Sequence, residues 1–138
     1  MDALYTAVAT ANGRDGRAVS SDGQLDLALA FPPVFGGDGK GTNPEQLFAA
    51  GYAACFSSAM GAVAREMKLD VKDVSVTAEV GIGKDASDGG FVIGVVMRVE
   101  LPEHLEGEAG KKLVEATHAA CPYSKATRGN IPFEIVIE

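Results

Sequence analysis

Two cysteines are the side chains of this sequence best suited to covalent chemistry, and their surroundings differ. Cys55 falls within a long uncharged segment, whereas Cys121 comes directly before Pro122 at the end of a predicted helix. A thiol fixed on a helix can attack an oxidant, and a thiol at a hinge can swing in to trap the sulfenic acid as a disulfide. The alternative is that both thiols only fill the core, and the residues alone leave both interpretations open.

An attacking cysteine needs a cation beside it, because an ordinary thiol has a pKa near ~8.5 and is mostly protonated at neutral pH. Arg14 lies in a loop between Gly13 and Gly16, which leave room for a long side chain to enter a pocket. Arg17 and Arg128 are competing candidates. Since most loop arginines are simply solvated, the residue types do not choose among the three.

Glu45 lies in the first turn of a predicted helix, where a carboxylate complements the positive end of the helix dipole. A straight helix from Glu45 to Cys55 would span ~15 Å, which excludes direct contact between the two side chains. We therefore expect Arg14 to bridge them and the helix to bend or break near Gly51, since glycine permits a bend.

Composition indicates one domain over residues 1–138 and argues against a nucleic-acid partner. Of the 138 residues, 46% are apolar, which is enough for one hydrophobic core and too little for two. The 19 acidic and 12 basic side chains give a net charge of -7, with no basic cluster that could follow a phosphate backbone. The first residues lack the pattern of a secretory signal, so we expect a cytoplasmic protein.

Hydrophobic periodicity and turn residues predict an α+β fold of order βββ-α-ββ-α-β. Asn43 is predicted to cap the first helix and Pro44 to occupy its first position. Alternating apolar residues along 24–31 indicate a half-buried strand. Pro122 disfavours helical geometry at Cys121, so the second helix should end there. The predicted strands cover residues 4–11, 17–21, 24–31, 74–82, 91–101 and 131–137, and the helices start at residues 44 and 108.

The first predicted helix carries no charged side chain over residues 47–64. This length approaches that of a membrane span, but alanine, glycine and serine contribute little transfer energy, and we expect a core helix with no membrane partner. A helix without a polar face must be covered on nearly all sides, which a chain of this size can hardly do alone. We therefore expect a homodimer.

Metal binding is not indicated by the ligand spacing. His104 and His118 could join the cysteines around zinc, but no paired spacing such as Cys-x-x-Cys occurs. His118 precedes Cys121 closely enough to suggest a Cys-His pair, although a structural histidine is the more common case. We expect no metal and no cofactor.

Two segments carry a resemblance to a known family. Residues 42–56 read TNPEQLFAAGYAACF and residues 121–131 read CPYSKATRGNI. These stretches resemble the signature segments of organic hydroperoxide resistance proteins, the Ohr branch of the OsmC/Ohr family. Residues 4–7, 13–16 and 19–22 also match, so the resemblance covers essentially the whole chain.

The resemblance implies an OsmC-like fold in an intertwined homodimer, with two central helices between two sheets and active sites at the subunit interface. It implies no metal or bound cofactor. By position, Cys55 matches the peroxidatic cysteine, Cys121 the resolving cysteine, Arg14 the arginine that stabilises the thiolate, and Glu45 the carboxylate that orients this arginine.

The activity implied by the resemblance is reduction of organic hydroperoxides through a Cys55 sulfenic acid and a disulfide with Cys121. The expected reductant is dihydrolipoamide or a lipoylated protein. Apolar side chains are expected to line a pocket for alkyl or lipid hydroperoxides. The candidate substrate-binding residues are Phe35, Tyr52, Phe56 and Tyr123.

Three alternatives remain at this point. One is an OsmC-type peroxidase with less preference for organic substrates. Another is a non-enzymatic dimeric protein that binds a hydrophobic small molecule and keeps both cysteines as core residues. A general disulfide exchanger is less favoured, because such enzymes usually place their thiols two residues apart.

Overall fold

The N-terminal strands form the three-stranded antiparallel meander that the turn pattern predicts. In the computed structural model, which describes residues 1–138, the strands are β1 (Ala9–Ala11), β2 (Arg17–Ser20) and β3 (Asp26–Ala28), in the order β1-β2-β3. Each is shorter than predicted. β2 ends at Ser20, which pairs with Ala9, and beyond this pair one backbone hydrogen bond of 2.8 Å runs from the Ser21 N–H to the Val8 carbonyl oxygen. Residues 4–8 therefore form no strand.

The predicted half-buried face of residues 24–31 is only partly covered within the chain. Leu29 is buried, and its backbone pairs with Thr42, but Leu27 and Phe31 are 39% and 37% exposed. Of the predicted apolar side, Leu29 is thus buried, while Leu27 and Phe31 are not covered by this chain.

Helix α1 (Pro44–Met67) begins where the sequence predicts. The Asn43 Oδ1 atom accepts a hydrogen bond of 2.9 Å from the backbone N–H of Gln46, which confirms the predicted N-cap. The expectation of a break near Gly51 is wrong, because the helix continues through this position without interruption. Gly51 instead makes room for a ring: a Cβ atom here would lie 3.1 Å from the hydroxyl oxygen of Tyr123.

A second sheet follows, built on the predicted hairpin. Strands β4 (Ser75–Lys84) and β5 (Phe91–Glu100) pair antiparallel, and β6 (Phe133–Ile137) joins β5 in parallel, in the order β4-β5-β6. The parallel pairing requires a crossover between β5 and β6, which the remaining helices supply. Arg98 of β5 binds Glu79 at 2.5 Å and Glu138 at 2.8 Å, so one side chain links neighbouring strands and the C-terminus.

The crossover contains one helix more than predicted. Helix α2 (Glu108–Ala120) has the predicted bounds and ends before Cys121, whose φ of -68° and ψ of 122° are extended. Pro122 then occupies the first position of a new short helix, α3 (Pro122–Thr127). Proline cannot continue α2, but its fixed φ suits the start of a helix, which explains both the stop and the restart. The α+β class is confirmed, with the helix order corrected to include α3.

The chain forms two compact units, Met1–Leu47 and Phe48–Glu138, and the main hydrophobic core lies in the second. In α1, every fourth side chain from Tyr52 onward is buried against this core, as far as Ala64. The core side chains of the other elements are Val95, Met97, Val99, Leu105, Leu113, Val114 and Cys121. One domain over residues 1–138 stays a prediction.

Much of α1 remains uncovered by its own chain. In its apolar window only 22% of the residues are buried. By its length and composition alone, α1 could also span a membrane, but the core helix of a soluble protein can have the same length and composition. The uncovered faces therefore show that α1 lacks packing partners in the single chain.

Candidate active site

The two cysteine sulfurs lie side by side within the second unit. The Sγ atoms of Cys55 and Cys121 are 3.7 Å apart, and both thiols are free. Cys55 projects from the middle of α1, half-buried, while Cys121 is fully buried at the junction of α2 and α3. A disulfide requires about 2.05 Å between its sulfurs, so a small local movement is enough to join them.

The surroundings of Cys55 within this unit favour the neutral thiol. Burial raises the pKa of Cys55 above its usual range, and the neighbouring Cys121 sulfur adds to this rise. The backbone N–H of Tyr123 acts in the opposite direction, because it favours the thiolate. A thiolate at neutral pH therefore needs a further positive group.

Arg14 and Glu45 form a two-point ion pair in the first unit. The Arg14 Nη1 and Nη2 atoms donate to the two carboxylate oxygens at 2.8 and 2.7 Å. The side chains are 30% and 14% exposed, so the pair is partly shielded from water. The hydrogen bond from Arg14 lowers the pKa of Glu45, and the same bond raises that of Arg14. Two hydrogen bonds to one carboxylate fix the orientation of the guanidinium relative to Glu45.

The competing arginines are engaged elsewhere. Arg17 pairs with Asp26 on the exposed meander, where the two side chains are 59% and 51% exposed. Arg128 donates a 2.6 Å hydrogen bond to the carbonyl oxygen of His118, at the end of α2. Of the three arginines, Arg14 is therefore the one that has a shielded carboxylate partner.

Comparison with known proteins identifies the family of this chain. The family described as OsmC-like protein matches residues 37–136. An organic hydroperoxide resistance protein of Xanthomonas axonopodis pv. citri is 53% identical over 97% of this chain and 94% of its own length. The chain belongs to the Ohr branch of the OsmC/Ohr family.

Solved structures of relatives support the same assignment. The organic hydroperoxide resistance protein OhrB of Bacillus subtilis is 46% identical and superposes with a TM-score of 0.88, covering 99% of this chain and 100% of that one. An organic hydroperoxide resistance protein from Legionella pneumophila is 43% identical with a TM-score of 0.88, and 99% of both chains is covered. The OsmC-like fold is thereby confirmed.

The four predicted substrate-binding residues fall into two groups. Phe35 and Tyr123 are 45% and 39% exposed, so a substrate can reach them. Tyr52 and Phe56 are fully buried in the core of the second unit. For those two residues, the predicted contact with a substrate would require this part of the core to open.

Polar residues next to the thiols were missed by sequence reasoning. The Tyr52 hydroxyl hydrogen-bonds with the side chains of Ser124 and Thr127, at 2.9 and 3.2 Å. Both partners belong to the 121–131 segment that carries the family resemblance, and this was the available signal. Within that segment, the hydroxyl groups of Ser124 and Thr127 were not predicted to have a role of their own.

His118 is a structural neighbour of this region. Its ring stacks on Phe133 with centroids 4.7 Å apart and an angle of 12° between the planes. Burial lowers the pKa of His118, and its Nδ1 atom has no hydrogen-bond partner. The neutral, stacked ring fits the structural role that the sequence favoured. No three His, Cys, Asp or Glu side chains are grouped as a metal site would require.

We predict that Glu45→Gln lowers the free energy of unfolding by about 1–2 kcal/mol at neutral pH, because it removes charge-assisted hydrogen bonds to a partly shielded guanidinium. Since the pKa of Glu45 is lowered in the folded state, this stabilisation is present above the ordinary carboxyl pKa and is lost as the pH falls through the lowered value. Urea titrations across this pH range measure the effect.

The matched control is Asp26→Asn, which removes the carboxylate of the exposed pair with Arg17. It should change the unfolding free energy by less than about 1 kcal/mol. Equal losses for the two variants would contradict a special role for the Arg14–Glu45 pair.

Proposed function

We propose that this chain is a thiol-dependent peroxidase that reduces organic hydroperoxides to alcohols and thereby contributes to organic peroxide resistance. The observation that carries the proposal is the 3.7 Å separation of the Cys55 and Cys121 sulfurs. Relatives named organic hydroperoxide resistance proteins, in Xanthomonas and Bacillus, support the substrate class.

Cys55 is the attacking group in the first step. Its thiolate attacks the terminal oxygen of the hydroperoxide, the O–O bond breaks, and the leaving alkoxide takes a proton to become the alcohol. The sulfur is oxidised to a sulfenic acid, and the hydroperoxide is reduced by the same two electrons.

Cys121 resolves the sulfenic acid in the second step. Its sulfur forms a bond to the Cys55 sulfur, and the sulfenic oxygen leaves as water after taking the Cys121 proton. An external dithiol, dihydrolipoamide or a lipoylated protein, then reduces the disulfide by two exchange reactions. Both cysteines return to thiols, and the dithiol becomes a cyclic disulfide.

Arg14 supplies the cation that Cys55 needs, and Glu45 orients it. The Cys55 pKa is raised by burial, so the mechanism depends on an opposing positive charge. The two-point hydrogen bonds to Glu45 prevent the guanidinium from turning into solvent. The same guanidinium would polarise the bound hydroperoxide.

The active form in this proposal is a homodimer in the cytoplasm. A second copy of the chain would cover the apolar faces of α1. In one copy, only 22% of the residues in the apolar window of α1 are buried. Exposed apolar residues such as Phe35 and Tyr123 would then favour alkyl or lipid hydroperoxides over hydrogen peroxide.

Replacing each cysteine should separate the two steps. We predict that Cys55→Ser abolishes consumption of cumene hydroperoxide, because the attacking sulfur is lost. Cys121→Ser should complete one turnover and then stop, because the sulfenic acid has no partner. The measurement is peroxide consumed per subunit, followed by thiol titration.

The same titration separates this proposal from a non-enzymatic binding protein. In the unmodified protein, one equivalent of organic hydroperoxide should consume both thiols, whereas core cysteines would lose none. Full turnover by Cys55→Ser, or unchanged thiols in the unmodified protein, would rule out the mechanism.

Replacement of Arg14 should raise the pH at which Cys55 reacts. We predict that Arg14→Gln shifts the alkylation profile of Cys55 to higher pH and slows peroxide reduction at neutral pH by roughly tenfold, because a charge-assisted interaction is lost. The pH dependence of iodoacetamide labelling in Cys121→Ser measures the shift at Cys55 alone.

Arg17→Gln is the matched control, since Arg17 sits on the neighbouring strand and pairs with exposed Asp26. It should leave the labelling profile unchanged. A larger shift in Arg17→Gln than in Arg14→Gln would transfer the role to Arg17.

The reductant is tested by comparing dihydrolipoamide with glutathione at equal thiol concentration. We predict faster turnover with dihydrolipoamide, because the second exchange is intramolecular and releases a stable cyclic disulfide. Equal rates with glutathione would contradict a dithiol reductant and leave the peroxidase steps intact.

A further inference from the structure

Three buried hydroxyl groups link α1 to α3 beside the two thiols. The Tyr52 hydroxyl lies 2.9 Å from Ser124 Oγ and 3.2 Å from Thr127 Oγ1. Tyr52 and Ser124 are fully buried, and Thr127 is 8% exposed. Buried hydroxyls without partners are costly, so this hydroxyl cluster of Tyr52, Ser124 and Thr127 is held together strongly.

Two members of the hydroxyl cluster lie about one helical turn from the two cysteines. Tyr52 precedes Cys55 by about one turn of α1, and Ser124 follows Cys121 by about one turn along α3. The hydrogen bond between Tyr52 and Ser124 joins α1 to α3, and the 3.7 Å contact between the sulfurs joins α1 to the residue directly before α3. A movement of α3 relative to α1 therefore changes both contacts.

The α3 helix depends on contacts of this kind. It has six residues, too few for a helix to be stable by itself. Thr127 Oγ1 also donates to the carbonyl oxygen of Tyr123 at 3.0 Å, so the cluster contacts both the start and the end of α3. Cys121 is the residue directly before α3, and its position follows that of the helix.

We propose that the Tyr52 hydroxyl is a positioning group for disulfide formation, which holds α3 so that Cys121 stays within reach of the Cys55 sulfenic acid. This inference rests on the peroxidase function proposed above. It assigns Tyr52 an indirect role, because its hydroxyl hydrogen-bonds with Ser124 and Thr127 and with neither sulfur.

The consequence is a competition between two fates of the sulfenic acid. In one, Cys121 displaces the sulfenic oxygen as water and the disulfide forms. In the other, a second hydroperoxide transfers an oxygen to the sulfenic sulfur, which gives a sulfinic acid and one molecule of alcohol. A loosely held Cys121 slows the first reaction and leaves the second unchanged.

Tyr52→Phe tests the role of the hydroxyl alone. The ring remains, and with it the contacts to Tyr123 and Phe133 at centroid distances of 5.6 and 5.8 Å. We expect disulfide formation to slow by roughly threefold to tenfold, because the hydrogen bonds to Ser124 and Thr127 are lost. Alcohol released in a single rapid turnover measures the first step in the same variant, and the rate of disulfide formation is expressed relative to it.

The readout is the ratio of disulfide to sulfinic acid, measured by mass spectrometry of the intact protein at increasing hydroperoxide. Tyr52→Phe should reach half over-oxidation at a several-fold lower hydroperoxide concentration than the unmodified protein. Tyr5→Phe is the matched control, because Tyr5 is 81% exposed and its hydroxyl is not part of the hydroxyl cluster. It should behave as the unmodified protein does.

A second pair of variants covers the case in which Tyr52→Phe does not fold. Thr127→Val removes the hydroxyl at nearly constant shape and should raise over-oxidation, whereas Thr127→Ser keeps the hydroxyl and should restore the original ratio. General loosening of the core would instead affect Thr127→Ser as well, since that variant loses a methyl group.

Two failures are distinguishable. If the unmodified protein consumes no organic hydroperoxide, the proposed function is wrong. If it is active but Tyr52→Phe and Thr127→Val form the disulfide at the original rate with the original ratio, the positioning role is overturned and the peroxidase proposal stands.

Discussion

The contact between the Cys55 and Cys121 sulfurs is the constraint around which the second unit is organised. Its 3.7 Å distance depends on a continuous α1 on one side and on the stop between α2 and α3 on the other. Pro122 produces that stop, because it cannot continue a helix but readily starts one. The interval between the helices places Cys121 in extended backbone next to Cys55 of α1.

A buried sulfur pair and a reactive thiolate make opposite demands on the same residue. Cys121 is buried next to the half-buried Cys55, and burial raises the pKa of Cys55. The backbone N–H of Tyr123 offsets part of that rise. In the proposed mechanism the guanidinium of Arg14, held by two hydrogen bonds to Glu45, supplies the positive charge that opposes this rise.

Local signals predicted those parts of the fold that local physics determines. Asn43 caps α1 and the amphipathic period bounds α2, because each depends on residues within a turn or two. The length of β1 was overpredicted, since a strand also needs a partner of equal length elsewhere in the chain. Gly51 was misjudged for a similar reason: its function depends on the ring of Tyr123, which is remote in sequence.

In the candidate site, too, the sequence predicted what depends on nearby residues and missed what depends on distant ones. Spacing could suggest a reactive pair in Cys55 and Cys121, but the arginine was left as one of three candidates until the family resemblance selected Arg14. The hydroxyl of Tyr52 gave no signal, because tyrosine in an apolar helix is usually a core residue and its partners come from another helix. A polar group buried at such a crossing carries a desolvation cost that a phenylalanine would avoid. The proposed positioning of α3 accounts for a hydroxyl one turn from Cys55 at this cost.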